Sequence, residues 1–233
     1  MYVILPFEKE FYEKKHHFPV SFVGHPLIDA IQQFKANPNF ISENQLSEKP
    51  IIALLPGSRK QEITKMLSVM LSVVHDFPDY QFVIAGAPGQ DTDFYRPFLK
   101  TNQVKLISNQ TYDLLSVASA ALVTSGTATL ETALFKVPEV VCYKGNRISY
   151  EIAKRVVTLQ FISLVNLIMN QEIVKELIQK EFNTKNLKQE LQAILSGKSR
   201  ETILTAYDEL ENQLGGKGAS KKTASLIYES IQK

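Results

Sequence analysis

A chain of 233 residues with 44% hydrophobic and 21% charged residues can bury one core plus an appendage, and its 10 glycines and 10 prolines exclude a disordered or fibrous class. Its 26 basic residues nearly balance 24 acidic ones, and a net charge of +2 argues against nucleic acid or a strongly anionic partner. The single cysteine, Cys142, excludes an internal disulfide, and no apolar run approaches the roughly 20 residues that span a bilayer.

The first residues, Met1-Tyr-Val-Ile-Leu-Pro, are too short for a secretory leader and lack a basic start, so a cytoplasmic protein is expected. Residues 2–5 predict a short buried strand stopped by Pro6, residues 8–17 a charged helix, and residues 21–23 a second strand ending at Gly24-His25-Pro26. Two short strands and one helix bury little by themselves. Residues 37–50 are polar and rich in breakers, which predicts a linker.

After Pro50 the pattern becomes regular. Apolar runs at 51–55, 82–86, 104–107, 121–124 and 140–143 alternate with helix-like segments, among them Ile63, Met66, Leu67 and Met70 at helical spacing. Short apolar strands alternating with helices imply right-handed crossovers and a parallel sheet covered on both faces. The predicted fold class is therefore α/β, a Rossmann-like doubly wound parallel sheet with a helical C-terminal extension. The predicted organisation is an opening unit with linker over 1–46, the Rossmann-like domain over 47–168 and a helical segment over 169–233. In that last segment Ile173, Leu177 and Ile178 share one helical face, and Leu187, Leu191, Ile194 and Leu195 another.

Ligands of open α/β sheets bind beyond the carboxyl ends of the strands, and two loops there carry suitable chemistry. In Leu55-Pro56-Gly57-Ser58-Arg59, Gly57 lets backbone approach a ligand, Ser58 can cap the next helix and Arg59 offers a forked donor for phosphate. The same residues equally describe a plain strand-to-helix turn with a surface arginine. In Ser125-Gly126-Thr127-Ala128-Thr129-Leu130-Glu131, a glycine and hydroxyls open a helix whose free N–H groups favour an anion. Glu131 can accept hydrogen bonds from two sugar hydroxyls, or it can simply complement the helix dipole. Leu130, three residues after Thr127, makes no capping box, which favours the ligand reading.

Neither loop is the dinucleotide glycine motif or a P-loop. His25 either faces a cleft or lies in a surface turn; Cys142 reads as inert packing. His16-His17 beside Lys14-Lys15 reads as a solvated basic face, or as a contact to an anionic membrane with Phe7, Phe11 and Tyr12. No cluster has metal-ligand spacing, so no metal and no cofactor are expected. Asn166, in an apolar segment, needs a partner, either a backbone group or a ligand.

Five ordered segments carry a resemblance. Residues 4–12 (Ile-Leu-Pro-Phe-Glu-Lys-Glu-Phe-Tyr), Val23-Gly24-His25-Pro26, Leu54-Leu55-Pro56-Gly57-Ser58-Arg59, the Ser125–Glu131 stretch and Asn166-Leu167-Ile168 resemble the signature segments of the lipid-A-disaccharide synthase family. The likeness runs end to end and continues into residues 172–179. It implies an inverting glycosyltransferase of GT-B architecture that joins UDP-2,3-diacylglucosamine to 2,3-diacylglucosamine 1-phosphate and releases UDP, without a metal. Carried onto this sequence, Gly57, Ser58 and Arg59 would line the phosphate side, with Arg59 stabilising the leaving group. Ser125, Gly126, Thr127, Ala128 and Thr129 would hold the diphosphate, Glu131 the ribose, Asn166 would reach the donor, and the Ser108-Asn109-Gln110-Thr111 loop would lie near the uracil.

The family's glycine-rich opening segment and its acidic general base have no match here. The lipid acceptor would therefore bind a missing domain, and the expectation is a chain that binds UDP or UDP-sugar and turns over poorly or not at all. The family further implies a dimer through the helical C-terminus, which the apolar faces between Ile173 and Leu214 would permit, as they would equally permit packing across the cleft. It also implies a place at the inner face of the inner membrane. Two alternatives remain open: a UDP-N-acetylglucosamine 2-epimerase or cell-wall glycosyltransferase on the same architecture, and a non-catalytic nucleotide-binding module.

Overall fold

The computed structural model describes residues 1–145 and 160–232. Strand β1 (Tyr2–Val3) pairs in parallel with β2 (Ser21–Phe22), matching Tyr2 to Ser21 and Val3 to Phe22. The strand expected over 2–5 stops at Val3 because the Glu8 carboxylate accepts hydrogen bonds from the amides of Ile4 and Leu5. Those bonds cap α1 (Pro6–Glu10), where Pro6 occupies the first turn, and the chain continues as a π-helical turn over Phe11–Lys15. Helix α2 (Pro26–Gln33) starts at His25, whose Nδ1 accepts from the Leu27 amide at 3.2 Å. His25 is 5% exposed and donates its own amide to Leu214, so it is a buried cap and not a surface residue. The expected linker is likewise packed: it contains α3 (Phe40–Glu43), and Phe40 inserts among Ile51, Ala53, Leu55 and Val83.

The main sheet has six parallel strands: β3 (Ile51–Leu55), β4 (Gln81–Gly86), β5 (Val104–Ser108), β6 (Ala118–Thr124), β7 (Glu139–Tyr143) and β8 (Lys175–Ile178), in the order β5-β4-β3-β6-β7-β8. Side chains of β3 alternate between two apolar layers, as a strand covered on both faces requires. Ile52 and Leu54 join one layer with Phe82, Ile84 and Leu122, while Ile51, Ala53 and Leu55 join the other with Val83, Ala121 and Val123. Helices α4 (Lys60–Met70, prolonged by a 3-10 stretch to Asp76), α5 (Thr92–Tyr95), α6 (Thr111–Val117), α7 (Thr127–Leu134) and α8 (Leu164–Met169) fill the crossovers. Helices α9 (Thr184–Leu195), α10 (Gly197–Gln213) and α11 (Ala219–Ile231) complete the chain.

One expectation for the C-terminal segment is corrected. Lys175–Ile178 is the sixth strand and not helix, pairing Val141 with Glu176 and Cys142 with Leu177, so the sheet extends past residue 168. Spacing at 173, 177 and 178 fits a helical face, but Glu176 between them is buried and bonded, a fact no periodicity reveals. The apolar faces considered for a dimer are used internally: Leu187, Leu191, Ile194, Ile203, Tyr207, Leu210 and Leu214 all belong to the first apolar layer.

Candidate functional site

Strand order reverses between β3 and β6, so the crossovers leaving these neighbours depart in opposite directions and open a crevice at their carboxyl ends. A cleft of about 390 Å³ lies there, walled by the turn 56–59 after β3, the end of β4 from Ala85 to Pro88, and the start of α7. Both turns depend on glycine. Gly57 has φ +100°, and a Cβ on it would fall 2.7 Å from Glu62 Oε2. Gly126 has φ +152° and ψ −166°, a region closed to L side chains.

These glycines aim two helix starts at one space. No side chain caps α4, whose N-cap is Arg59, and none caps α7, whose N-cap is Gly126. Thr127 and Ala128 at the start of α7 and Arg59 and Glu62 at the start of α4 therefore line one cleft at the positive ends of two helix dipoles. Arg59 is exposed at the rim and in no ion pair among the described residues. Gln90 holds the turn from behind, its Nε2 donating to the Ser58 carbonyl at 3.1 Å. Such a crevice suits a diphosphate, and the carboxylates of Glu62 and Glu131 in the same lining suit hydroxyl donors.

Glu131 is set by its neighbours. Tyr112 Oη donates to Glu131 Oε1 at 2.9 Å, while Oε2 has no partner among the described residues. Burial raises the Glu131 carboxyl above the usual range, and the Tyr112 hydrogen bond partly offsets this. Burial, with the adjacent carboxylate, pushes the Tyr112 phenol up as well.

Of the residues singled out in the sequence, Gly57, Ser58, Arg59, Ser125, Gly126, Thr127, Ala128 and Glu131 come together in the cleft lining. Three do not. Thr129 is fully buried and its hydroxyl donates to the Gly126 carbonyl at 2.8 Å, so it shapes the helix start from within. Gln110 precedes α6 outside the lining, which its neighbour Thr111 joins. Asn166 also lies outside it, and its side chain is fully engaged. Its Nδ2 donates to the Val174 carbonyl (2.8 Å) and Glu176 Oε1 (2.9 Å), and its Oδ1 accepts from the amides of Ile173 (2.8 Å) and Val174 (3.0 Å).

That network still reaches the site. Glu176 accepts from the amides of Ile162 and Ser163, and the Ile162 carbonyl accepts the Ser125 hydroxyl at 2.7 Å. Thr111 of the loop expected near the uracil does line the cleft, whereas sequence reasoning missed Glu62, Tyr112 and the 85–88 wall. Gly86 and Pro88 after an apolar run flag the wall, but nothing local flags a tyrosine whose partner lies 19 residues away.

The profile of a family described as lipid-A-disaccharide synthetase matches residues 1–229. Among curated proteins, the lipid-A-disaccharide synthase of Syntrophus aciditrophicus is 36% identical over 242 residues, covering 100% of this chain and 63% of its own length. That of Coxiella burnetii is 35% identical over 237 residues, covering 99% of this chain. The chain thus spans about 62% of the length of the latter relative. Among solved structures, a UDP-GlcNAc 2-epimerase from Neisseria meningitidis bound to UDP-GlcNAc superposes with a TM-score of 0.63 at 16% identity, covering 98% of this chain and 60% of that one. At that identity the likeness is one of fold.

Proposed function

Because the chain belongs to the lipid-A-disaccharide synthetase family, we propose that its cleft binds the UDP end of a UDP-2,3-diacylglucosamine donor for transfer to 2,3-diacylglucosamine 1-phosphate. The chain supplies the donor side of this glycosyl transfer. The observation that carries the reading is the convergence of two uncapped helix starts and Arg59 on one cleft at the point where strand order reverses. In this reading the pyrophosphate lies against the amides of α4 and α7, and the ribose lies against Glu131. As the glycosidic bond to the pyrophosphate breaks, negative charge grows on the leaving UDP. Arg59 and the two dipoles stabilise that charge, the electrostatic work that a metal performs in other transferases.

Thr129 and Asn166 enter as residues that shape the site and not as ligands, since their polar atoms are already bonded within the protein. Both proposed sugars carry acyl chains, so the reaction takes place at a membrane surface, the inner face of the inner membrane. No helix among the described residues is long and apolar enough to cross a bilayer.

Titration calorimetry with UDP tests the donor site. The chain should bind UDP, and Arg59→Ala should weaken binding by about 1.5–3 kcal/mol, the worth of a hydrogen bond to a charged group. Absence of UDP binding would overturn the reading. In an assay with donor and acceptor this chain alone should form little or no disaccharide; steady disaccharide formation would overturn that expectation, and interconversion of UDP-sugars would mark an epimerase.

A further inference from the structure

Tyr112 belongs to no motif, yet it controls one face of the cleft. Its hydroxyl donates to Glu131 Oε1 at 2.9 Å, and its ring is fixed on two sides. The Phe135 ring centroid lies 5.0 Å away and the Phe34 centroid 5.5 Å away, the latter edge-on at 89°. Phe34 and Phe135 also meet each other at 5.8 Å, so the three rings form a closed cage. Phe34 is the C-cap of α2, and the nearby Asn37 amide donates to Asp113 Oδ1 at 2.7 Å. The segment following α2 therefore grips the start of α6 and, with it, the phenol. An unsupported glutamate samples several rotamers; this one has one oxygen tied and the other without a partner.

Resting on the donor-site reading above, we infer that Tyr112 is a positioning residue for sugar recognition: by holding Glu131 Oε1 it presents Oε2 to the ribose hydroxyls and makes the cleft selective for a ribonucleoside diphosphate. Tyr112 touches no substrate and acts only through the carboxylate. Its removal should therefore erase an advantage that only ligands with ribose hydroxyls enjoy.

The experiment compares UDP with 2′,3′-dideoxy-UDP by titration calorimetry, on the wild-type chain, on Tyr112→Phe, which keeps the caged ring, and on Phe34→Leu, which loosens the cage but keeps the hydroxyl. The wild type should prefer UDP. Tyr112→Phe should weaken UDP about tenfold, the scale of one net hydrogen bond, and leave the dideoxy ligand unchanged. Phe34→Leu should weaken UDP by less and in the same ligand-selective way. Equal losses for both ligands in Tyr112→Phe would mark a merely structural residue and overturn the inference, as would no loss for either. A wild type that binds both ligands equally would overturn it while leaving the diphosphate site intact. A wild type that binds neither would remove the donor site and this inference together.

Discussion

Glu131 does two things that pull against each other. In the proposed donor site it must be ionised to accept two hydroxyl hydrogen bonds, yet it is half-buried, and burial disfavours the ionised form. The Tyr112 hydroxyl relieves part of the cost by donating to it. Its carboxyl is raised above 4.5, so on acidification it takes up a proton earlier than an exposed glutamate would. Protonation fills one acceptor site, and donor affinity should fall. UDP-N-acetylglucosamine is the suitable probe, because its pyrophosphate carries no group that titrates near neutrality. Measured from about pH 8 down to about pH 4, its affinity should decline on acidification, the decline setting in at a higher pH than an exposed carboxylate would give. Glu131→Gln should bind more weakly where Glu131 is ionised, converge with the wild type as Glu131 takes up its proton, and lose this dependence. Calorimetry across that range reads both; an unchanged pH profile in the variant would assign the titration to another group.

Between α8 and β8 a single side chain closes the connection. Asn166 uses both amide hydrogens and both carbonyl lone pairs, three of the four bonds going to the backbone of Ile173 and Val174. Asn166→Ala would deprive the buried Val174 amide and carbonyl of their side-chain partner and take from the Ile173 amide and Glu176 Oε1 one of two partners each, and should cost about 2–4 kcal/mol, read as a lower urea midpoint. Were Asn166 a direct donor ligand, the same variant would lose UDP affinity at nearly normal stability. The element scale also shows what the sequence conceals. The βα alternation and the glycine-opened turns made the parallel sheet, the 56–59 turn and the α7 start legible, because each follows from local conformation. Strand β8 was not legible: four residues around a buried glutamate copy a helical face, and only the hydrogen bonds from Ile162, Ser163 and Asn166 explain how that carboxylate lies inside. Tyr112 was hidden for a related reason, since its role depends on Glu131 and Phe34, brought to it by the fold.

Across the whole molecule, function and a stability cost sit at opposite ends of the same sheet. The cleft lies at the carboxyl ends of the strands, whereas Glu139 opens β7 at the amino end, fully buried, with neither carboxylate oxygen hydrogen-bonded among the described residues. Burial, and secondarily the charge of Glu176, raise its carboxyl well above the normal 4.5. The sign of the linkage follows. Below the unfolded value both states hold the proton, and Glu139 contributes no slope. Above it the unfolded chain releases the proton while the folded chain retains it, so stability declines as pH rises. The decline is about 1.4 kcal/mol per pH unit and continues until the raised folded value is reached. Glu139→Gln mimics the protonated form and cannot ionise in either state. It should match the wild type near pH 4.5 and be the more stable protein at pH 8, with a flatter stability profile between them, as measured by urea unfolding. UDP affinity should be unchanged, because the substitution lies at the far end of the sheet from the cleft. A variant no more stable than the wild type at pH 8 would mean that Glu139 finds a partner or water once ionised. A loss of UDP affinity would mean that the two ends of the sheet are coupled.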